Sequence, residues 1–210
     1  MSLSFPRKGL ARKMLLGFGA LIGLVVLMAM INSVSLLRVG SRVGQMEVTA
    51  LPSALHADQI ALNTKRIQQN LVQAAAAFTK DNFKYADLAM EDIRASVAVL
   101  VKNPLLRADA RAIEEIQAIE RDLINFTAMG KNMAEIYMSQ GGIDAAGAQL
   151  DAFDAAARKL VLRVETLQKR LANDAVDAMH DISSTLDSVM RMTLVLTGLS
   201  IVTSLGIAYG

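Results

Sequence analysis

The sequence predicts an all-α membrane protein in which an up-down-up-down four-helix bundle is flanked by two transmembrane helices. Two apolar runs predict the spans, because residues 14–37 and 192–210 contain no charged side chain. Between these runs, apolar residues recur at helical spacing through residues 38–191. The composition agrees with this class, since 53% of the 210 residues are apolar and only 4% are aromatic, which disfavours a large β-sandwich core.

The first span, residues 14–37, follows a short basic tail. Its first 18 residues have no polar side chain and would form a helix of about 27 Å, close to the roughly 30 Å of a bilayer's hydrocarbon core. Residues 1–13 carry four basic residues and no acidic one, so the N-terminus is predicted to be cytoplasmic. The alternative is a cleaved signal peptide, although the run exceeds the usual length of about 7 to 15 residues and no small-x-small site follows it.

The second span, residues 192–210, is apolar except for hydroxyl-bearing side chains. Hydroxyl groups can bond to carbonyl groups of their own helix, so they are tolerated in lipid. Small residues four apart are typical of close helix packing, and they occur in both spans. The candidate packing residues are Gly19, Gly23, Ser200 and Ser204. The sequence ends inside this apolar run without a basic flank, which indicates that the natural protein continues beyond Gly210.

The segment between the spans, residues 38–191, is predicted to be a single domain outside the cytoplasm. In its fourth piece, apolar residues recur at alternating steps of three and four from Leu150 to Leu171, and the first piece has a similar stripe from Ile60 to Phe78. Such seams are what helix bundles require, and short connections make neighbouring helices antiparallel. The breaks between the four pieces are at residues 79–82, 102–104 and 140–142.

Local signals predict where the helices begin and bend. Pro52 predicts a kink or break near Leu51, because proline cannot donate a backbone hydrogen bond within a helix. Asp81 or Asn82 can cap the second helix, and Asp109 lies at the start of the third.

The lengths of the pieces predict that the first and fourth helices are continuous with the spans. The run from Val34 to Thr79 would measure about 68 Å and the run from Gly142 to Arg191 about 74 Å. The second and third helices, of roughly 20 and 30 residues, are shorter. A displacement of one outer helix relative to the other would therefore be transmitted mechanically into the membrane.

These features resemble the N-terminal sensor half of bacterial methyl-accepting chemotaxis proteins that have a periplasmic four-helix-bundle ligand-binding domain. The resemblance is carried by the basic start Arg12–Gly19, the Leu51–Pro52 step, the three breaks and the span at residue 192, and it covers essentially the whole chain. It implies a homodimer in the bacterial inner membrane that binds a small molecule in the periplasm and shifts its fourth helix along the membrane normal. Cytoplasmic signalling partners would be reached only through a part beyond Gly210, because no HAMP linker, methylation helices or kinase-coupling hairpin is present.

In the family that the chain resembles, amino-acid and organic-acid ligands bind near the membrane-distal end of the bundle, on the first and fourth helices at the dimer interface. Counting residues from the spans predicts a common height of roughly 47 to 50 Å above the membrane for four cationic side chains, those of Lys65, Arg66, Arg158 and Lys159. Amide side chains lie nearby on the first helix. The cations could bind a carboxylate by charge-assisted hydrogen bonds, with Arg66 and Arg158 able to bind it bidentately. The alternative is an ordinary solvated face. The candidate ligand-binding residues are Lys65, Arg66, Gln69, Asn70, Gln73, Arg158 and Lys159.

The sequence argues against several other functions. It has no Cys and only two His, and counted from the spans His56 and His180 differ in height by about 16 Å, which is too far for shared metal ligation. It has no P-loop, no G-x-S-x-G and no H-E-x-x-H pattern. Residues 38–191 contain 18 basic and 20 acidic side chains, which argues against a nucleic-acid surface. We therefore predict no enzyme activity, no metal and no cofactor.

Two other functions remain open at this point. The same module could be the input of a sensor histidine kinase or a diguanylate cyclase, because such inputs are interchangeable between outputs. Alternatively, the chain could be a structural, membrane-anchored bundle that binds a partner protein and no small molecule.

Overall fold

The computed structural model describes residues 7–139 and 143–209, and within these ranges its regular secondary structure is helical and includes no strand. This confirms the all-α class. The elements in chain order are α1 (Arg7–Gln45), a π-helical turn (Met46–Ala50), α2 (Leu51–Ala76), α3 (Phe83–Lys102), the short α4 (Pro104–Arg107), α5 (Ala110–Ser139) and α6 (Ile143–Tyr209). The predicted break at residues 140–142 lies outside the described residues.

The chain divides into two compact units by its internal packing. We call Gln45–Ala178 the core unit, and Met1–Gly44 together with Met179–Gly210 the apolar unit. The core unit lies within the predicted domain of residues 38–191.

Two helical segments, Gly17–Ala76 and Gly147–Gly206, are long and apolar enough to cross a membrane, and the side chains of their most apolar stretches are not buried. Among the described residues, polar side chains of the two segments meet near Asn32 and near Arg42. Thr193 Oγ1 donates a hydrogen bond to Asn32 Oδ1 at 3.0 Å. Arg42 forms an ion pair with Asp181 and donates to Thr185 Oγ1 at 3.1 Å.

The candidate packing residues of the spans differ in their surroundings. A Cβ atom placed on Gly19 or Gly23 would meet nothing within 4 Å, so neither glycine closely contacts another helix among the described residues. Ser200 and Ser204 are half-buried, and Ser204 Oγ donates to the Ser200 carbonyl of its own helix at 2.7 Å. This bond satisfies the hydroxyl without a partner helix.

The predicted break at residues 79–82 follows the end of α2. Phe78 adopts a left-handed conformation with φ of 53°, and the N–H of Thr79 reaches back to the carbonyl of Ala74 at 3.2 Å, as in a Schellman motif. The side chain of Phe78 is 58% exposed and lies near Tyr137, with ring centroids 5.4 Å apart. The prediction that Phe78 belongs to the buried stripe of α2 was therefore wrong, because the helix ends before it.

One of the two predicted helix caps is confirmed by a side-chain hydrogen bond. Asp109 Oδ1 accepts hydrogen bonds from the N–H groups of Arg111 and Ala112 at 3.0 and 3.2 Å, which confirms it as the cap of α5. Asn82 occupies the N-cap position of α3, but its side chain makes no capping hydrogen bond.

One apolar core is shared by side chains of α2, α3, α5 and α6. Its aromatic centre is Phe126 of α5 and Phe153 of α6, whose rings stack with centroids 4.6 Å apart and an angle of 9° between their planes. The stripe predicted from Ile60 is buried as far as Ala74, and the stripe predicted from Leu150 to Leu171 is buried from Phe153 onward, while Leu150 is half-buried and packs against the core. The largest fully buried side chains are Ile60, Ile67, Leu71, Ile93, Leu100, Ile116, Ile119, Leu123, Met133, Phe153, Leu167 and Leu171.

Gly130 permits the closest approach in this core. A Cβ atom at this position would lie 2.5 Å from Leu71 Cδ1 of α2 and 2.6 Å from Phe153 Cε2 of α6. Real carbon atoms do not approach so closely, so α5 needs glycine here to contact both helices.

We predict that Gly130→Ala destabilises the fold by about 1 to 3 kcal/mol, because the added methyl group overpacks the core. Gly147→Ala is the matched control, since a Cβ on Gly147 meets nothing within 4 Å and alanine favours a helix. Thermal unfolding of the full chain in detergent, followed by circular dichroism, measures both. Equal melting temperatures for the two variants would contradict the prediction.

Candidate functional site

Arg66 lies on the edge of a groove between α2 and α3. Its Nη1 donates a hydrogen bond to Asn63 Oδ1 at 3.2 Å, and Asn63 is buried. The buried amide thus orients the guanidinium while leaving most of its donors free. The groove has a volume of about 360 Å³ and is lined by Asn63, Arg66, Gln69, Asn70, Tyr85, Leu88, Ala89 and Asp92.

Lys65, the neighbour of Arg66, lies on a different face of α2. Its Nζ forms an ion pair with Glu165 Oε1 of α6 at 3.1 Å, and both side chains are about half exposed. Exposed pairs of this kind contribute roughly 0 to 1 kcal/mol. Lys65 is therefore partnered, as the solvated-face alternative predicts.

Lys159 lies on a second groove, between α5 and α6. This groove has a volume of about 180 Å³, with Phe126 and Leu160 among its apolar lining residues and Asn125 among its polar ones. Arg163 also lines it and forms an ion pair with Asp122, so its charge is already offset.

The seven candidate residues therefore fall into four groups. Arg66, Gln69 and Asn70 share the α2–α3 groove, Lys159 lines the α5–α6 groove, and Lys65 is ion-paired. The remaining two, Gln73 and Arg158, are exposed. Neither has a hydrogen-bonding or ion-pair partner among the side chains that the structure describes.

Tyr85 and Asp92 of α3 were missed by the sequence analysis. They are seven residues apart and so lie on one face of the helix, opposite Arg66 across the groove. The seven-residue spacing can be read from the sequence. Only the packing of α2 against α3, however, shows that both residues face Arg66. Arg66 and Asp92 do not form an ion pair with each other, although both line the groove.

This arrangement can bind a small polar molecule. The guanidinium of Arg66 can hold a carboxylate bidentately, and the amides of Gln69 and Asn70 can add hydrogen bonds. The carboxylate of Asp92 can accept from a hydroxyl or ammonium group on the same molecule. The groove thus contains a positive charge on Arg66 and a negative charge on Asp92, and the two are not paired with each other.

His56 belongs to a separate polar contact between α2 and α3. Its Nδ1 lies 3.1 Å from Gln59 Oε1 and 3.3 Å from Ser96 Oγ. Ser96 is buried and donates to Gln59 Oε1 at 3.1 Å. Across residues 7–139 and 143–209, no three His, Asp or Glu side chains are grouped so that they could hold a metal ion.

No protein-family model, curated protein or solved structure matches this chain. The resemblance to chemotaxis receptors accordingly stays a prediction, and the functional argument depends on the geometry of the chain itself.

We predict that Arg66→Ala weakens binding of any carboxylate ligand by about tenfold to a hundredfold, because a charge-assisted bidentate contact is lost. Isothermal titration with a panel of small mono- and dicarboxylates measures this. Arg121→Ala is the matched control, because Arg121 is exposed on α5 and lines neither groove. Unchanged affinity in Arg66→Ala would exclude the groove, and a loss confined to Arg158→Ala would favour a site on α6.

Proposed function

We propose that this chain is the ligand-sensing and transmembrane-signalling part of a chemoreceptor. The observation that supports this most strongly is α6, a single helix from Ile143 to Tyr209. Its first half contributes Phe153 and Leu171 to the apolar core, and its second half contains the apolar run that begins at Met192. The same helix thus contains both core side chains and the apolar run of the second span.

The core unit is an up-down-up-down four-helix bundle in this proposal, with α2, α3, α5 and α6 as its helices. Two observations support it. All four helices contribute to one core, and the connection from α2 to α3 is short, as antiparallel neighbours require.

Signalling proceeds by a small displacement of α6 in a two-pass inner-membrane protein with a cytoplasmic N-terminus and a periplasmic core unit. Close packing makes a helix respond to a ligand as a whole, because interdigitated side chains do not deform continuously. The stacked rings of Phe126 and Phe153 fix α6 against α5 in the resting arrangement. The same mechanism serves a histidine kinase or a diguanylate cyclase, which depend on the same displacement.

The ligand is a small carboxylate, such as an organic acid or an amino acid, bound at Arg66 in the α2–α3 groove. The free donors of Arg66 and the amides of Gln69 and Asn70 support this ligand class.

A second copy of the chain is the proposed partner of the core unit. Leu55 and Leu62 of α2 are 56% and 49% exposed. They are seven residues apart and therefore lie on one face of this helix, as in coiled coils. This exposed apolar face supports a homodimer that packs along α2.

Ligand binding is expected to raise the melting temperature of a soluble piece covering residues 38–191. A ligand that binds only the folded state stabilises it by about 2.7 kcal/mol at a hundredfold excess over Kd. Differential scanning fluorimetry with the carboxylate panel measures this, and Arg66→Ala should abolish the shift. A piece that melts at the same temperature with every compound would favour the structural bundle over a sensor.

We predict that Leu55→Glu combined with Leu62→Glu lowers the fraction of dimer, because it places charge on the apolar face of α2. Val99→Glu is the control, since Val99 is an exposed apolar residue on α3. Sedimentation equilibrium of the full chain in detergent gives the dimer fraction. A dimer unaffected by both glutamates would contradict an interface along α2.

A further inference from the structure

Two ion pairs join α5 and α6 at a regular spacing. Arg163 pairs with Asp122, and Arg170 Nη1 lies 2.8 Å from Glu115 Oε2. The two acids are seven residues apart on α5, and the two arginines are seven residues apart on α6. The pairs therefore lie along one side of the contact between these helices. The same spacing defines the position at which a third pair would lie.

The α5–α6 groove occupies the position of that third pair. Seven residues after Asp122 on α5 is Met129, and seven residues before Arg163 on α6 is Ala156. Neither side chain is charged, and alanine is too short to reach across to the neighbouring helix as arginine does. Both residues line the groove, whose volume is about 180 Å³. The groove is therefore space that Ala156 leaves open where its counterparts on α6 bridge to α5.

The floor of the groove is apolar and closely packed. Phe126 and Leu160 line it and are only 3% and 4% exposed. The ring of Phe126 stacks on the buried ring of Phe153, so its position is already held before anything binds. Met129 adds an unbranched thioether side chain, which adapts to the shape of an apolar group.

The rim of the groove has one cation without a partner. The charged lining residues are Asp122, Arg163 and Lys159, and the first two neutralise each other in an ion pair. Lys159 is exposed and has no hydrogen-bonding or ion-pair partner among the side chains that the structure describes. Asn125 lines the same groove and adds an amide donor. The groove thus combines an apolar floor with an excess of one positive charge.

We propose that the α5–α6 groove binds a small monocarboxylate that has a compact apolar body, such as an aromatic ring or a branched alkyl group. The apolar body lies on Phe126 and Leu160, and the carboxylate accepts hydrogen bonds from Lys159 and Asn125. The size of the groove supports this class, because an apolar cavity of about 150 Å³ is sufficient for benzene. A dicarboxylate is disfavoured, because the groove has only one unpaired cation for it.

This site is separate from the one proposed at Arg66. The two grooves share no lining residue, and the α2–α3 groove is lined mainly by polar side chains that include both Arg66 and Asp92. The α5–α6 groove instead selects its ligand by an apolar surface beside a single charge. The second site therefore stands whether or not Arg66 binds a carboxylate.

Benzoate is the probe for this site, because its ring matches the apolar floor and its carboxylate matches Lys159. Isothermal titration of the full chain in detergent should show that benzoate binds about tenfold to a hundredfold more tightly than acetate, since burial of the ring contributes roughly that factor. Benzamide has the same shape without the charge, and it should bind about tenfold more weakly than benzoate. Titrations into detergent alone provide the blank.

The substitution Lys159→Gln should weaken benzoate binding by about tenfold and leave benzamide binding unchanged, because it removes only the charge. Arg158→Gln is the matched control, since Arg158 is the exposed neighbour on α6 and lines neither groove. Ala156→Leu should abolish binding of both compounds by filling the groove. Ala155→Leu, at the exposed neighbouring position, is its control.

Melting temperatures measured by circular dichroism establish that each variant folds. If Ala156→Leu does not fold, the surface substitution Lys159→Gln still decides the matter. Absence of benzoate binding to the unchanged chain, or equal affinities for benzoate and acetate, would overturn the site. An equal loss in Arg158→Gln and Lys159→Gln would also overturn it, because it would indicate general attraction to a cationic surface.

The variant Arg66→Ala separates this site from the proposed function. Benzoate should bind Arg66→Ala with unchanged affinity and should remain sensitive to Lys159→Gln in that background. A loss of benzoate binding in Arg66→Ala but not in Lys159→Gln would overturn the second site while supporting the α2–α3 groove.

Discussion

The close approach of α5 to its neighbours at Gly130 is the constraint on which the core unit depends. Leu71 and Phe153 occupy the space that a side chain would need there, so α2 and α6 both contact the backbone of α5. One turn earlier on α5, Phe126 stacks on the same Phe153. A helix held this closely cannot slide without a discrete rearrangement of its neighbours.

Most of the helical framework could be predicted from the sequence, because a buried helix face imposes a period that needs no knowledge of its partner. The stripe from Phe153 to Leu171 is an example. Phe78 was assigned to a stripe because its spacing fits, although the left-handed end of α2 removes it from that face. The hydrogen bond from Asn103 Nδ2 to the carbonyl of Thr49 could not be predicted, because it joins residues 54 positions apart through a contact that leaves no period in the sequence.

The candidate site illustrates a second limit of the same kind. Counting residues predicts the height of a side chain along a helix, since the rise per residue is constant. It does not predict which neighbour the side chain faces, because that depends on how the helices are arranged. Lys65 and Arg66 are adjacent, but a rotation of about 100° separates their faces, so one pairs with Glu165 of α6 and the other lines a groove with α3.

The hydrogen bond between Asn32 and Thr193 has a consequence for the order in which the protein assembles. In the proposed topology Asn32 enters the membrane with the first apolar helix, and its amide is a polar group in a solvent without water. Its partner is synthesised 161 residues later. At ribosomal rates of about 5 to 20 residues per second, Asn32 waits roughly 10 to 30 seconds for Thr193. In that topology, pairing of the two apolar helices is a late step of biogenesis, and the unpaired amide of Asn32 favours their association over release of the first helix into lipid alone.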